Sequence, residues 1–183
     1  MRLRPAPANE NYDLTEYQQK CIIFKRSILA HIDAGTDIIY CDECCFTWRG
    51  YQPFSWAPKG QSLELKKKAN KYGVNCCACV GAISLSRGKE AFMYVEKALD
   101  ANQFIEFMRY LHGVRQGRKP YILVVDGASI HWTKLCKEEA AMLGITLVKN
   151  IPYMPDTNGI EMFWARAKVL YKAIGTQVLV RGD

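Results

Sequence analysis

Three acidic residues of the sequence, Asp42, Asp126 and Glu161, have the side-chain chemistry needed to bind divalent metal ions. Magnesium prefers a few carboxylate ligands and leaves its remaining coordination positions to water and to substrate phosphates. Two such ions held ~4 Å apart can activate a water or hydroxyl and stabilise the leaving oxygen during phosphodiester cleavage. Three carboxylates suffice for two ions, so this set predicts two-metal phosphodiester chemistry that needs no nucleophilic side chain.

Each of these acids also has a simpler interpretation. Asp42 could face solvent on a strand that is covered on one side only. Asp126 precedes Gly127 and could begin a turn. Glu161 lies three residues after Asn158 and could complete a helix cap at the positive end of the helix dipole. The local sequence leaves these alternatives open.

The acids are distributed over a chain whose hydrophobic pattern alternates between strand and helix periodicity. The pattern predicts helices over residues 14–33, 100–113, 133–143 and 160–174, and strands near 38–46, 62–67, 75–85, 121–125 and 145–149. Three early strands followed by alternating helices and strands predict an α/β fold with a mixed sheet, because each parallel return needs a crossover. The ribonuclease H-like fold, a mixed sheet flanked by helices, has this order of elements.

Two of the acids stand at special places in these elements. The apolar run from Tyr121 to Val125 predicts a strand covered on both sides, and it stops at Asp126. In open sheets of this kind, binding sites form beyond the carboxyl ends of the strands. Asp42 falls inside a mostly apolar strand, where an unpaired carboxylate costs several kcal/mol, roughly, unless it binds a partner or a metal.

Composition narrows the class of protein. The 183 residues include 25 Lys and Arg against 18 Asp and Glu, and the formal net charge of +7 makes a polyanion a plausible partner. The longest apolar runs are strand-sized, whereas a spanning helix needs ~18 residues, so we expect no membrane segment. Pro5 and Pro7 interrupt the start of the chain, which argues against a secretory signal. We expect an intracellular protein, nuclear in a eukaryote or cytoplasmic in a bacterium, with reduced cysteines.

The cysteines supply the alternative from a different functional class. Cys41-x2-Cys44 and Cys76-x2-Cys79 have the ligand spacing of a four-thiolate zinc site, which would make the chain a zinc-stabilised binding module. A strand sends alternate side chains to opposite faces, so residues three apart point in opposite directions. The strand assignment therefore favours buried thiols that serve as small apolar residues.

The sequence around the acids resembles the mariner superfamily of DDE transposases and the related bacterial insertion-sequence transposases. The matching motifs are Asp42-Glu43-x-x-Phe46, Trp56-x-Pro58-x-Gly60, Asp126-x-Ala128-x-x-His131 and Pro152-Tyr153-x-Pro155-Asp156-x-Asn158-x-Ile160-Glu161, followed by Trp164 and Lys168. The 34 residues between Asp126 and Glu161 are the interval of one large branch of that superfamily. The sequence departs from the usual motifs in three places: Gly127 replaces an Asn, Gly159 replaces a Pro, and Cys44-Cys45 stands where small polar residues are common.

This resemblance implies a ribonuclease H-like DDE endonuclease that cleaves DNA and joins the released 3′-hydroxyl to target DNA. It implies two Mg²⁺ or Mn²⁺ ions as cofactors, with Asp42 bridging both ions and Asp126 and Glu161 each completing one. The implied partners are transposon ends and target DNA, bound by a homodimer in a DNA complex. A domesticated or decayed domain that binds DNA without cutting it is the alternative from the same class.

Five basic or titratable residues are candidate DNA contacts: Lys168, His131, Lys66, Lys67 and Lys68. Lys168 follows Glu161 by about two helical turns and shares its helix face, where it could meet the phosphate backbone. The family motif supports His131 near the metals or a phosphate, although a buried structural histidine is equally consistent. The lysine run could follow a DNA backbone or simply form a solvated surface.

The predicted domain organisation is simple. Residues 1–13 form a tail, residues 14–176 form the catalytic domain together with the helix 14–33 that precedes its first strand, and residues 177–183 form a second tail. Transposases of this superfamily carry N-terminal helix-turn-helix domains that recognise transposon ends. We expect these domains to be absent here, because fewer than 14 residues precede the first predicted helix.

Overall fold

The computed structural model describes residues 14–47, 76–95, 98–152 and 157–181. The helices are α1 (Leu14–Asp33), α2 (Ala101–Val114), α3 (Lys134–Met142) and α4 (Ile160–Arg181), and a short 3₁₀ turn spans Ser129–Trp132. The strands are β1 (Asp37–Thr47), β2 (Cys76–Ser84), β3 (Gly88–Val95), β4 (Tyr121–Val125) and β5 (Thr146–Lys149). None of the described helices has the length and apolar character needed to cross a membrane.

The described strands form one five-stranded mixed sheet in the order β3-β2-β1-β4-β5. The pairs β1–β2 and β2–β3 are antiparallel, whereas β1–β4 and β4–β5 are parallel. The parallel pairs need crossovers, and α2 and α3 lie on the connections that lead into β4 and β5. The predicted mixed sheet flanked by helices is therefore confirmed.

Helices cover both faces of the sheet, and alternate residues of β1 enter two separate cores. Ile39 and Cys41 pack with the buried stripe of α2 and with Cys136 and Ala140 of α3. Ile38 and Tyr40 pack on the other face with Ile28 of α1 and with Ile160 and Trp164 of α4. This alternation is the ordinary period of a strand that is covered on both sides.

Most predicted elements match the observed ones, with two differences. The predicted strand near 62–67 lies outside the described residues and is not one of these differences. Strand β3 was not anticipated, because Lys89, Glu90 and Tyr94 disrupt its apolar pattern and only Ala91 and Val95 are buried. Helix α4 continues to Arg181, so residues 177–181, expected in a tail, extend the helix; no proline interrupts this stretch.

The alternative of a zinc module is wrong for the described residues. Cys41 lies in the core beneath α2, whereas Cys44 lies in the core beneath α4. In the register of β1 and β2, Cys44 is opposite Cys79 and Cys41 is opposite Ala82, so Cys41 faces away from Cys44 and Cys79. Burial raises the pKa of Cys44 to about 11, which disfavours the thiolate that zinc needs.

Buried ion pairs close the end of the sheet at which β1 begins. Arg115 lies 2.9 Å from Asp37 and 2.7 Å from Glu90, and all three side chains are nearly inaccessible to solvent. Ser84 donates a hydrogen bond to Asp37, and the Arg115 guanidinium lies over the ring of Tyr121. This network ties β1, β2 and β3 to the segment that follows α2, and it leaves the opposite end of the sheet for the acids.

Candidate active site

Asp42 and Asp126 lie side by side at the carboxyl end of the central parallel strands. The parallel register pairs Tyr40 of β1 with Val124 of β4, so two residues further along the chain each strand reaches its acid. Asp42 is still inside β1, which is longer, whereas Asp126 follows the last residue of β4. The parallel pairing thus places these two residues at the same level of neighbouring strands.

The start of α4 brings Glu161 to the same edge. The amide of Asn158 donates a hydrogen bond of 3.1 Å to Oδ2 of Asp42, which fixes the approach to this helix against β1. The backbone N–H of Glu161 donates to the carbonyl of Asn158 at 3.1 Å. In a capping box the Glu161 carboxylate would accept from the Asn158 backbone N–H, and the described residues show no such bond, so the cap alternative for Glu161 lacks its defining contact.

Gly159 allows this close approach. A Cβ added at Gly159 would lie 3.1 Å from Cδ2 of Tyr40, so the helix entry packs directly on the tyrosine ring. The loop before α4 is also held at the end of β5, because the hydroxyl of Thr157 donates to the buried side chain of Asn150 at 2.9 Å. The departure from proline at position 159 therefore coincides with a tight contact between α4 and β1.

The electrostatics of Asp42 reflect the convergence of the acids. Burial, together with the negative charges of Glu43, Glu161 and Asp126, raises the pKa of Asp42 to about 7. A hydrogen bond of 2.8 Å from the Glu43 backbone N–H opposes this rise. A carboxylate in this position favours the binding of a proton or of a cation that compensates the shared negative charge.

His131 connects a fourth carboxylate to this edge. Its Nε2 atom lies 3.2 Å from Oε1 of Glu43 and 3.2 Å from Oδ1 of Asp126. The imidazole is 1% exposed and packs against Phe104 of α2. Glu43 points to the face of β1 opposite Asp42. The sequence alone did not indicate that Glu43 and Asp126 would both contact His131.

The burial of His131 corrects one prediction. A side chain enclosed between Phe104 and two carboxylates has no path to a DNA phosphate, so the expected DNA contact of His131 does not agree with the structure. The histidine instead acts on the position of Asp126. His131 is therefore better described as a buried structural histidine. Its two partners, Glu43 and Asp126, belong to the acid cluster.

Two further hydrogen bonds fix the segment that carries Asp126. The N–H of Ala128 donates to Oδ1 of Asp126 at 2.9 Å, and the indole N–H of Trp132 donates to the Asp126 carbonyl at 2.8 Å. The first bond forms an Asx-type turn, so Asp126 does begin a turn, as its simpler interpretation expects. It leaves Oδ2 of Asp126 available to another ligand.

Of the lysines predicted to contact DNA, the structure describes Lys168 only. Lys168 is exposed on α4 and hydrogen-bonds to the thiol of Cys44, which shares a strand face with Asp42. Lys66, Lys67 and Lys68 lie outside the described residues. Lys149, which the sequence analysis did not single out, ends β5 beside the acid edge.

The donor set has the chemistry of a magnesium or manganese site, although its ligands are not gathered. Carboxylate oxygens are hard ligands that suit either ion, and the pKa of Asp42 is raised first by burial and then by the neighbouring negative charges, which a cation would compensate. Among the described residues, no three His, Cys, Asp or Glu side chains stand close enough to hold an ion. Binding would therefore require the carboxylates to close around the metal.

A family of known proteins matches most of the chain. The family described as DDE superfamily endonuclease matches residues 37–174, a span that contains Asp42, Asp126 and Glu161. No curated protein matches the chain at a significant level.

Solved structures with the same fold come from Mos1 transposase. The pre-cleavage Mos1 transpososome has a TM-score of 0.68 at 16% identity, covering 93% of this chain and 52% of that chain. The Mos1 mariner paired end complex with Mn has a TM-score of 0.67 at 16% identity, covering 93% and 53%. The Mos1 transposase catalytic domain with raltegravir and Mg has a TM-score of 0.52 at 13% identity, covering 77% and 68%.

At these identities the likeness shows the fold alone, and it confirms the predicted ribonuclease H-like class. The chain spans about half the length of the first transposase chains that it matches, 52% in the paired-end complex with the left transposon end.

Proposed function

The chain belongs to the DDE superfamily endonucleases, and from this premise we propose that it is a transposase catalytic domain that cleaves DNA phosphodiester bonds and joins the released 3′-hydroxyl to target DNA. The observation that carries the proposal is that Asp42, Asp126 and Glu161 lie at one sheet edge, where burial and the charges of Glu43, Glu161 and Asp126 raise the pKa of Asp42 to about 7. The positive net charge of +7 and the transposon-end complexes of Mos1 support DNA as the partner. We extend the proposal to a homodimer in the DNA complex.

The acids of the cluster have distinct tasks in this proposal. Asp42 interacts electrostatically with both other acids and would hold both Mg²⁺ or Mn²⁺ ions, while Asp126 and Glu161 would each complete one. When bound, the two ions supply Lewis-acid activation of the attacking hydroxyl and stabilisation of the leaving oxygen.

The supporting residues hold the segments that carry these acids. Asn158 joins Asp42 to the start of α4, the helix that carries Glu161. His131 and the Ala128 N–H both contact Oδ1 of Asp126. These contacts limit the movement to what the side chains need to close around the metals, which matters because a metal pair tolerates little error in the positions of its ligands.

The test is a nicking assay on supercoiled plasmid with Mg²⁺, Mn²⁺ or EDTA. The parent chain should nick DNA only with a divalent ion, and Asp42→Asn, Asp126→Asn and Glu161→Gln should each be inactive while remaining folded. Glu106→Gln is the matched control, because Glu106 is an exposed carboxylate on α2 and should retain parent activity.

Each possible result has a definite meaning. Nicking that survives in any of the three site variants would refute the assignment of that acid. A parent chain that binds DNA but does not nick it with either metal would refute the proposed activity and favour a domesticated domain that only binds DNA.

A further inference from the structure

Lys149 is a cation held at the acid edge on the side away from α4. It ends β5 and pairs in the parallel register with Val125, the residue before Asp126. Its side chain is exposed, and in the described ranges no carboxylate lies within ion-pair distance of it. Because no carboxylate neutralises its charge, a lysine in this position can attract an anionic group of a ligand.

Gly127, the residue after Asp126, has no side chain, and the end of Lys149 occupies that space. A Cβ added at Gly127 would lie 3.0 Å from Cε and 3.5 Å from Nζ of Lys149. The absence of a side chain at Gly127 therefore lets the end of the lysine rest on the backbone of the residue next to Asp126.

Trp132 lies on the other side of the same ammonium group. Nζ of Lys149 lies 5.9 Å from the centroid of the Trp132 ring, at the outer limit of a cation–π contact. The same indole donates its N–H to the Asp126 carbonyl. One aromatic side chain thus contacts both the lysine and the segment that carries the second acid, which limits how far the charge can move from it.

Lys168 lies on the other face of the sheet from Lys149. It is near Cys44, which belongs to the core beneath α4. Lys149 pairs with Val125, which belongs to the core beneath α2 and α3. The two lysines therefore cannot replace each other, and Lys149 is the cation on the Trp132 side of Asp126.

We propose that Lys149, supported by Trp132, binds a backbone phosphate of the DNA strand next to the phosphate that is cut. The inference rests on the proposed function and deepens it, because it names the contact that holds the strand on the β5 side. The lysine donates hydrogen bonds to phosphate oxygens as a point charge, so the contact positions the strand without reading its sequence.

The experiment measures binding of a fluorescein-labelled DNA duplex by anisotropy in metal-free buffer over a series of salt concentrations. Lys149→Gln should weaken binding several-fold and lower the slope of log Kd against log salt by about 0.9, the value of one phosphate contact. Lys149→Arg should restore the slope. Lys119→Gln is the matched control, because Lys119 is exposed at the opposite end of β4, ~20 Å away along the strand.

The outcomes separate this inference from the proposed function. A Lys149→Gln protein with the parent's affinity and salt slope overturns the phosphate contact, whatever the nicking assay shows. An equal loss in Lys149→Gln and Lys119→Gln also overturns it, because net charge alone would then explain the effect. A parent chain that binds no DNA refutes the proposed function, and the phosphate contact falls with it.

Discussion

The imidazole of His131 and the carboxylate of Asp126 are 3.2 Å apart at the edge of the sheet, and the imidazole is buried. The same ring nitrogen is 3.2 Å from Glu43, so one histidine restrains two carboxylates that come from different strands. Its other ring nitrogen, Nδ1, is buried without a hydrogen-bond partner among the described residues. The histidine is therefore oriented by Glu43, Asp126 and the ring of Phe104.

Replacing His131 should impair the acid cluster while preserving the fold. His131→Phe keeps an aromatic ring against Phe104 and removes the contact to Asp126. We expect the Mn²⁺-induced rise in Tm to need about 10- to 100-fold more metal, the range typical of lost outer-shell partners. His131→Gln, which can present an N–H near the same place, should recover part of the loss. Parent-like metal titration of His131→Phe would show that the histidine only fills space.

The stability of the chain should depend on the charge of Asp42. Its folded pKa of about 7 exceeds its ordinary value of 3.8, so between these values the folded state holds a proton that the unfolded state has lost. Stability should therefore fall as the pH rises from about 4 to about 7. Asp42→Asn should raise Tm at pH 8 in metal-free buffer by roughly 3 °C or more, since each kcal/mol shifts Tm by about 2–4 °C in a domain of this size.

The same pair of proteins supplies the control for that prediction. At pH 5 the parent Asp42 is largely protonated, so the advantage of Asp42→Asn should shrink. Added Mg²⁺ should stabilise the parent more than the variant. An advantage that stays constant from pH 5 to pH 8 would mean that charge repulsion is not its cause.

Glu161 can be tested against its role as a helix cap. Glu161→Gln loses only a charge at the helix N-terminus, on the order of 0.3–1 kcal/mol, and should stay folded but lose metal-dependent nicking. Glu161→Asp keeps the charge on a shorter side chain, so activity should weaken or shift toward Mn²⁺. Melting curves and nicking rates per folded molecule decide the matter. A Glu161→Gln protein that melts early but nicks normally would identify a cap.

The buried ion pairs at the far end of the sheet should dominate its stability there. Arg115→Met leaves Asp37 buried without its cation and leaves Glu90 with Arg118 alone, and removing one partner of a buried ion pair typically costs about 3–5 kcal/mol. Although burial alone would raise it, hydrogen bonds from Ser84 and Ser86 and the charge of Arg115 hold the pKa of Asp37 below 3.8. The stability that Asp37 contributes is therefore present at neutral pH and is lost as the pH falls through this lowered value.

Urea denaturation at pH 7 measures the cost of Arg115→Met directly. The variant should unfold at markedly lower urea at pH 7, and the difference from the parent should narrow as the pH falls below 3.8 and through the lowered pKa of Asp37. A variant as stable as the parent at pH 7 would contradict the proposed importance of this network.

Two glycines should respond oppositely to alanine. A Cβ at Gly81 of β2 would lie 2.5 Å from Phe92 and 2.8 Å from Trp164, so Gly81→Ala should destabilise by about 1–3 kcal/mol through overpacking. A Cβ at Gly113 of α2 meets nothing within 4 Å, so Gly113→Ala should stabilise by up to about 1 kcal/mol. Thermal melts of both variants check the contrast, and equal shifts would show that the space around Gly81 is not tight.

Local sequence determined much of the scaffold. The continuous apolar run of β4 ended at Asp126 as predicted, and the capping box of Asp100 and Gln103 opened α2 where its pattern required. These features depend on hydrophobic periodicity and on hydrogen bonds between close neighbours in the chain, so a short window contains their cause. Strand β3 escaped because its partial exposure at the sheet edge weakens the same periodicity.

The residues that convert the scaffold into a site were decided by tertiary structure. The sequence identified Asp42, Asp126 and Glu161 by type and spacing, but the strand register and the packing of the start of α4 against β1 bring them to one edge. Register also turns Glu43 toward His131, since neighbouring residues of a strand face opposite sides.

The place of Lys149 was likewise decided by tertiary structure. Nothing in its local sequence distinguishes it from other lysines, and only the parallel pairing of β5 with β4 places it beside Gly127 and Trp132. Contacts between residues far apart in the chain depend on how separate elements pack, and that information lies in no single segment.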